Sequence, residues 1–210
     1  MTMLRSDGKP AASFADTINA SLTAREVEDG RLNGYRYSKR FALKPGFYEV
    51  LVGVRDTASD MAGTTKTWVE IPDLRNGEPV LSSIHLGKAT DKAQRPGGGD
   101  KLPPQFLTGR ASFKNGDTAI YRFVAYNAKK ATAPEPLVRL EILRGESLVY
   151  VSDLHSLSSR SIRTTNKGVE LGGQIPVALE PGLYQLRVTL QNGNSKKRSA
   201  EQTFSFEVEP

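Results

Sequence analysis

Cysteine is absent from the 210 residues, so neither a disulfide nor a thiolate can contribute to folding, metal binding or nucleophilic attack. No apolar run approaches the ~18 residues that a membrane-spanning helix needs, so no membrane span is expected. The opening Met1-Thr2-Met3-Leu4-Arg5-Ser6-Asp7 lacks the apolar stretch of a signal peptide. Charge of one sign is scarce as well. The net +6 divides into ten basic and ten acidic side chains over residues 1 to 74, five and three over 75 to 107, and fourteen and ten over 108 to 210. Only Lys129-Lys130 and Lys196-Lys197-Arg198 cluster, both among turn-type residues. No nucleic-acid partner is expected, because such a partner requires a dense basic stripe.

What is present is a repeat. Leu43-Lys44-Pro45-Gly46-Phe47-Tyr48 returns as Leu179-Glu180-Pro181-Gly182-Leu183-Tyr184, with the two tyrosines 136 residues apart. Each copy runs into an alternating segment: Tyr48, Val50, Val52 and Val54 share one face, as do Tyr184, Leu186, Val188 and Leu190. Those faces are predicted to be buried. Glu49 and Arg55, or Gln185, Arg187 and Thr189, lie opposite, as in an antiparallel sheet with one wet face. Polar turns over Asp56 to Gly63 and Gln191 to Lys197 lead to closing strands, Thr65 to Ile71 and Gln202 to Val208.

Further strands are predicted at Phe106 to Phe113, Thr118 to Asn127, Leu137 to Leu143, Leu148 to Val151 and Val169 to Leu179, with turns at Asn115-Gly116-Asp117 and Arg144-Gly145-Glu146. With the closing pair, this approaches the strand count of an immunoglobulin-like sandwich. In the first copy the predicted strands are Thr17 to Ala24 and Leu32 to Leu43, with a turn at Asp7-Gly8-Lys9, and no segment shows helical periodicity. Constant repeat spacing aligns Met1 near Leu137 and leaves residues 106 to 136 without a counterpart. The expected fold is all-β: two tandem immunoglobulin-like β-sandwiches, the first lacking its N-terminal strands. Residues 1–74 form the partial sandwich, 75–105 a linker and 106–210 the second sandwich. Within the linker, Val80-Leu81-Ser82-Ser83-Ile84 suits a short strand, and Arg95-Pro96-Gly97-Gly98-Gly99-Asp100 a flexible loop. A partial sandwich exposes sheet edges, so upstream polypeptide or a protein partner is expected to complete it.

The repeated phrase has a structural purpose. A tyrosine at the start of the penultimate strand can cover the core and bond its hydroxyl to backbone just upstream, making a tyrosine corner. Proline presets the turn, glycine permits positive φ, and the leucine fills the core beside the ring. Leu43, Pro45, Gly46 and Tyr48, with Leu179, Pro181, Gly182 and Tyr184, are therefore assigned to this corner and not to a ligand. The pattern resembles the closing strands of fibronectin type III and related immunoglobulin-like domains.

A longer order of motifs carries a second likeness. The first corner is followed by Val52-Gly53-Val54-Arg55-Asp56, Gly63-Thr64, Val69-Glu70-Ile71-Pro72-Asp73-Leu74 and Leu81-Ser82-Ser83-Ile84. Phe113-Lys114-Asn115-Gly116-Asp117-Thr118 and Ala125-Tyr126-Asn127-Ala128 then lead to the second corner. Over roughly residues 30 to 210 the chain resembles the region downstream of the von Willebrand factor A domain in VWFA-related proteins of acidobacterial type. That resemblance implies trailing β-sandwiches at the cell envelope or outside the cell. The A domain's Asp-x-Ser-x-Ser metal motif does not occur, since Asp153-Leu154-His155-Ser156-Leu157 has histidine at the first serine, so metal-dependent adhesion does not carry over.

No other pattern specifies chemistry. His85 and His155 lack a surrounding carboxylate or serine constellation. Asp56 with Asp60, and Glu26 with Glu28 and Asp29, lack the Asp/Asn/Gly spacing of a calcium loop. Arg160 and Arg163 read equally as solvated strand charges or as partners of an acidic group, and Tyr35 and Tyr37, alternating with Arg36, as core or same-face strand residues. Trp68, the only tryptophan, is predicted to face away from the core, where it can contact a partner or stack on a glycan. The expectation is a non-catalytic structural or protein-interaction module without metal or cofactor, with glycan binding through Trp68 as the alternative.

Overall fold

The computed structural model describes residues 1–35, 37–89, 111–128, 135–164, 168–191 and 198–210. They separate into two units, Met1–Asp73 and Leu74–Pro210. Among the described residues the fold is all-β except for one α-helix and short 3-10 turns.

The second unit is a two-sheet sandwich. Its strands are β5 (Val80–Leu81), β6 (His85–Lys88), β7 (Ala111–Phe113), β8 (Thr118–Tyr126), β9 (Leu137–Arg144), β10 (Ser147–Val151), β11 (His155–Ser156), β12 (Ser161–Thr164), β13 (Gly168–Pro176), β14 (Gly182–Gln191) and β15 (Arg198–Val208). One sheet has the order β10-β9-β14-β15-β7, with β11 also on β9; the other has β12-β13-β8-β5, with β6 also on β8. Period-two alternation drives this. In β8, Ala119, Tyr121, Phe123 and Ala125 are buried, and they face the buried Leu186, Val188 and Leu190 of β14 in a single core. Phe206 stacks on Tyr184 at 5.6 Å and meets Phe113 edge-on at 5.7 Å, both favoured ring geometries.

Two strands of this sandwich, β5 and β6, arise from residues 75 to 105, expected to be linker, and both pair antiparallel with β8. Such short strands carry too few residues to display alternation, and only the β8 template orders them. Asn127, just past β8, adopts a left-handed φ of 58° and donates through Nδ2 to the carbonyls of Leu74 (2.9 Å) and Glu78 (3.0 Å). It thereby fastens the start of the unit to β8. The Gly/Pro-rich loop at 95–100, the residues 106–110 of the predicted strand and the turn residues 192–197 lie outside the described residues.

The first unit contains β1 (Thr2–Arg5), β2 (Pro10–Ser13), the helix α1 (Ala24–Asn33), β3 (Gly46–Arg55) and β4 (Ala62–Ile71), with sheet order β2-β1-β3-β4. This repeats β10-β9-β14-β15, turn for turn: β1 and β2 flank Asp7-Gly8-Lys9 as β9 and β10 flank Gly145-Glu146. Register repeats too. Met3 lies opposite Val50 as Ile142 lies opposite Leu186, so Met1 matches Leu140 and not the Leu137 that constant spacing assigns.

The strands predicted at Thr17 to Ala24 and Leu32 to Leu43 do not form. Helix α1 begins instead at a capping box: the Thr23 amide donates to the Glu26 carboxylate at 2.8 Å, and the Glu26 amide donates to Thr23 Oγ1 at 3.4 Å. Thr23-Ala24-Arg25-Glu26 is the S/T-x-x-E signature of a helix start, and the helix lacks the apolar stripe that periodicity would reveal. These bonds also hold the Glu26 carboxyl below the usual carboxylate range, the Thr23 amide contributing most.

Candidate interaction surface of the first unit

The corner motifs build alike in both units. Tyr48 donates its hydroxyl to the Lys44 carbonyl and Tyr184 to the Glu180 carbonyl, each at 2.7 Å. Gly46 and Gly182 take φ of 146° and 153°, a region that a side chain disfavours. Both tyrosines are buried, Leu43 and Leu179 are half-buried, and Pro45 and Pro181 are exposed. One partner differs. The Arg144 guanidinium lies 5.7 Å over the Tyr184 ring and donates to Pro181 O at 3.1 Å, whereas Arg5, its counterpart by register, pairs with Asp7 at 3.6 Å.

Beyond the corner the two sheets diverge. Tyr48 lies opposite Val69 and Val50 opposite Thr67, so Met3, Tyr48, Val50, Val52, Val54, Val69 and Ile71 share what is the core face in the second unit. Val188, Leu190, Phe206 and Val208 are buried there, yet Val54 is 69% exposed and Val69 37%. The prediction that this valine face is buried therefore fails at its far end. The reason is the missing layer: among the described residues of the first unit, no second sheet forms over it.

Trp68 stands on the opposite face of β4, across from Glu49, and is 62% exposed. Beside it Lys66 pairs with Glu49 at 3.3 Å. Phe47 shares this outer side and is 58% exposed, but its counterpart Leu183 is equally so at 62%. That exposure belongs to the repeat, whereas tryptophan at this place belongs to the first unit alone; β15 has Ser205 there.

The other sequence candidates are dispersed. His85 starts β6 and His155 starts β11, on different sheets. Asp56 and Asp60 are occupied in the β3–β4 turn. Asp56 accepts from Ser59 Oγ at 2.5 Å and the Ala58 amide at 2.9 Å, bonds that depress its pKa, and Asp60 accepts from Arg55 Nε at 2.8 Å. Glu28 sits 3.9 Å from Arg31. Among the described residues, no three His, Asp or Glu side chains are placed to hold a metal ion. Arg163 is exposed on β12, and the side chains of Asp29 and Arg160 lie outside the described set. Tyr35 and Tyr37 are not on a strand. The Tyr35 ring lies on Gly30 of α1 with its hydroxyl 3.4 Å from Glu26 O. Tyr37 donates to Asp16 at 3.0 Å and stacks on Phe14 at 6.3 Å. Partial desolvation, then the Asp16 carboxylate, push its pKa up.

No protein-family model and no curated protein matches the chain. Solved structures similar to it include the CARDB domain of a Pyrococcus furiosus protein, crystallised in complex with di-metal ions. The TM-score is 0.34 at 13% identity, covering 62% of this chain and 89% of that one. The solution structure of that CARDB domain gives 0.34 at 14%, covering 63% and 96%. The N-terminal domain of PorA gives 0.23 at 10%, covering 60% and 97%.

Proposed function

We propose that this protein is a non-catalytic structural or protein-interaction module, in which the second unit is a finished sandwich and the first presents a sheet for another polypeptide to cover. The observation that carries the reading is the contrast at matched positions, Val54 at 69% exposure against Leu190 at 0%. Exposed apolar sheet faces of this kind mark interaction sites. Assignment to the C-terminal part of a VWFA-related envelope or secreted protein is part of the proposal and rests on the order of motifs from Leu43 to Tyr184. The test is the native mass of the protein taken from its source cells, with envelope and soluble fractions kept apart. A polypeptide longer than the 22.9 kDa chain that contains this segment, or a complex of the chain that Val69→Asp disperses, supports the reading. A free monomer in every fraction overturns it.

A second reading follows from Trp68. An exposed indole beside the Glu49–Lys66 pair supplies a stacking surface and polar groups to a sugar ring. Saturable glycan binding that Trp68→Ala abolishes would establish it in place of the first.

A further inference from the structure

The second unit shows what fits over the open face of the first. There, β7 runs parallel to β15, with Ala111, Ser112 and Phe113 opposite Phe206, Glu207 and Val208, and β8 pairs along its whole length with β13. The register equivalents in the first unit are Val69, Glu70 and Ile71 on β4, the sheet edge, and the segment running to Leu43. The connection from β2 to β3, residues 14 to 45, is two residues longer than the one from β10 to β14, residues 152 to 181, which holds β13; the two are aligned by counting back from the corner tyrosines. Tyr35, Phe41 and Leu43 then stand where the second unit has Leu171, Val177 and Leu179 facing its core. Lys39 falls where the second unit has the buried Ile175, so the segment carries apolar residues at both ends of a strand's inward pattern with a charge between them, and among the described residues no strand pairs with it.

Its present structure is weakly held. Helix α1 has ten residues, below the length at which an isolated helix is stable in water, and among its described side chains none is buried. Tyr35 rests on this helix, 64% exposed. The β4 edge is ten residues long, without proline and rich in threonine and β-branched residues, which is a form that accepts an added strand, and its one lysine, Lys66, is paired with Glu49 away from Val69–Ile71.

We propose that the first unit takes up a strand pair of the β7–β8 kind from a partner polypeptide. A short apolar-polar-apolar strand joins β4 in parallel at Val69–Ile71. A following strand of about nine residues, with alternate apolar side chains, covers the valine face. Residues 35–43 then become the counterpart of β13. This rests on the interaction reading above and specifies its partner.

The experiment places a second copy of residues 111–139 ahead of Met1 in the full chain, so that Met1 takes the place of Leu140. Tethering raises the effective concentration to about millimolar, which offsets imperfect side-chain fit. Hydrogen exchange of residues 37–43 and 65–71 is compared with the unextended chain. Slowing of ~10-fold or more in both segments, lost when Tyr121→Asp and Phe123→Asp are placed in the added copy alone, is the expected result. Unit two keeps its own β8 and serves as an internal control. Unchanged exchange overturns the proposal, as does equal slowing by the Asp-substituted copy. Slowing already present in the unextended chain and lost on dilution also overturns it, by showing that a second copy covers the face. Should the inference fail while Val69→Asp still disperses a native complex of the chain, the interaction reading survives it.

Discussion

Tyr48 and Tyr184 make the same 2.7 Å bond to the carbonyl four residues upstream, and the strands they begin have opposite fates. Along β14, Leu186, Val188 and Leu190 are at most 1% exposed, while at the far end of β3 Val54 reaches 69%. Side-chain type does not separate them, since valine suits a buried strand as well as leucine. What separates them is the layer above. A sheet face is buried only by something stacked on it, and β8 with β13 does this in the second unit alone. A repeated sequence phrase therefore reproduces local geometry and sheet order without reproducing a core.

The sharpest way to break this comparison is to cut matched positions. Leu171→Ala removes a side chain that is 0% exposed and should cost the second unit about 2–5 kcal/mol, whereas Tyr35→Ala in the first should change stability by less than ~0.5 kcal/mol. Urea unfolding measures both, with Trp68 fluorescence reporting the first unit and far-UV ellipticity mainly the second. Equal losses would mean that the first unit has a core of its own.

The corner should respond alike in both. Tyr48→Phe and Tyr184→Phe each leave a backbone carbonyl without its partner, at about 1 kcal/mol, measured by the same titration. A large loss at Tyr184 with none at Tyr48 would show that the corner stabilises only when a core lies beneath it. Thr23→Ala removes the helix cap, worth about 0.5–1 kcal/mol. Ellipticity at 222 nm should fall slightly while unfolding of the second unit is unchanged.

The smallest expected effect is on pH. Burial alone raises the Asp117 pKa, but the Lys114 amide at 2.7 Å and Lys88 Nζ at 3.1 Å together outweigh it and leave it depressed. A depressed carboxylate stabilises the fold at pH above its unfolded value, and that contribution is lost as pH falls through the lower folded value. The second unit should therefore weaken slightly on acidification below the ordinary aspartate range, discounted because the pair is about one-third exposed. Asp117→Asn should flatten that part of the stability profile. In the first unit, the depressed Glu26 and Asp56 lie fully in solvent and should make a weaker contribution.

Much of the second sandwich was legible because its strands alternate over seven or more residues: β8, β9, β14 and β15 fall close to their predicted bounds. The outward direction of Trp68 was legible for the same reason, since Thr65, Thr67, Val69 and Ile71 alternate with it. The short strand expected within Val80 to Ile84 is β5, whereas β6 was not legible, having no alternation to read, nor was the clamp made by Asn127, whose partners lie far back in the chain. The capping box at Thr23 is written in the sequence as Thr23-Ala24-Arg25-Glu26, but the helix that it opens has no apolar period to mark it.

Local chemistry decided by itself the two corners, the helix start at Thr23 and which side chains of β3 and β14 share a face, because each depends on neighbours within a turn or on the two-residue period of a strand. Whether those faces are buried, and whether Leu32 to Leu43 is a strand, was left to tertiary structure. A strand's hydrogen bonds and an apolar face's burial are both completed by another segment, and β8 supplies them to β13 and β14 in the second unit only.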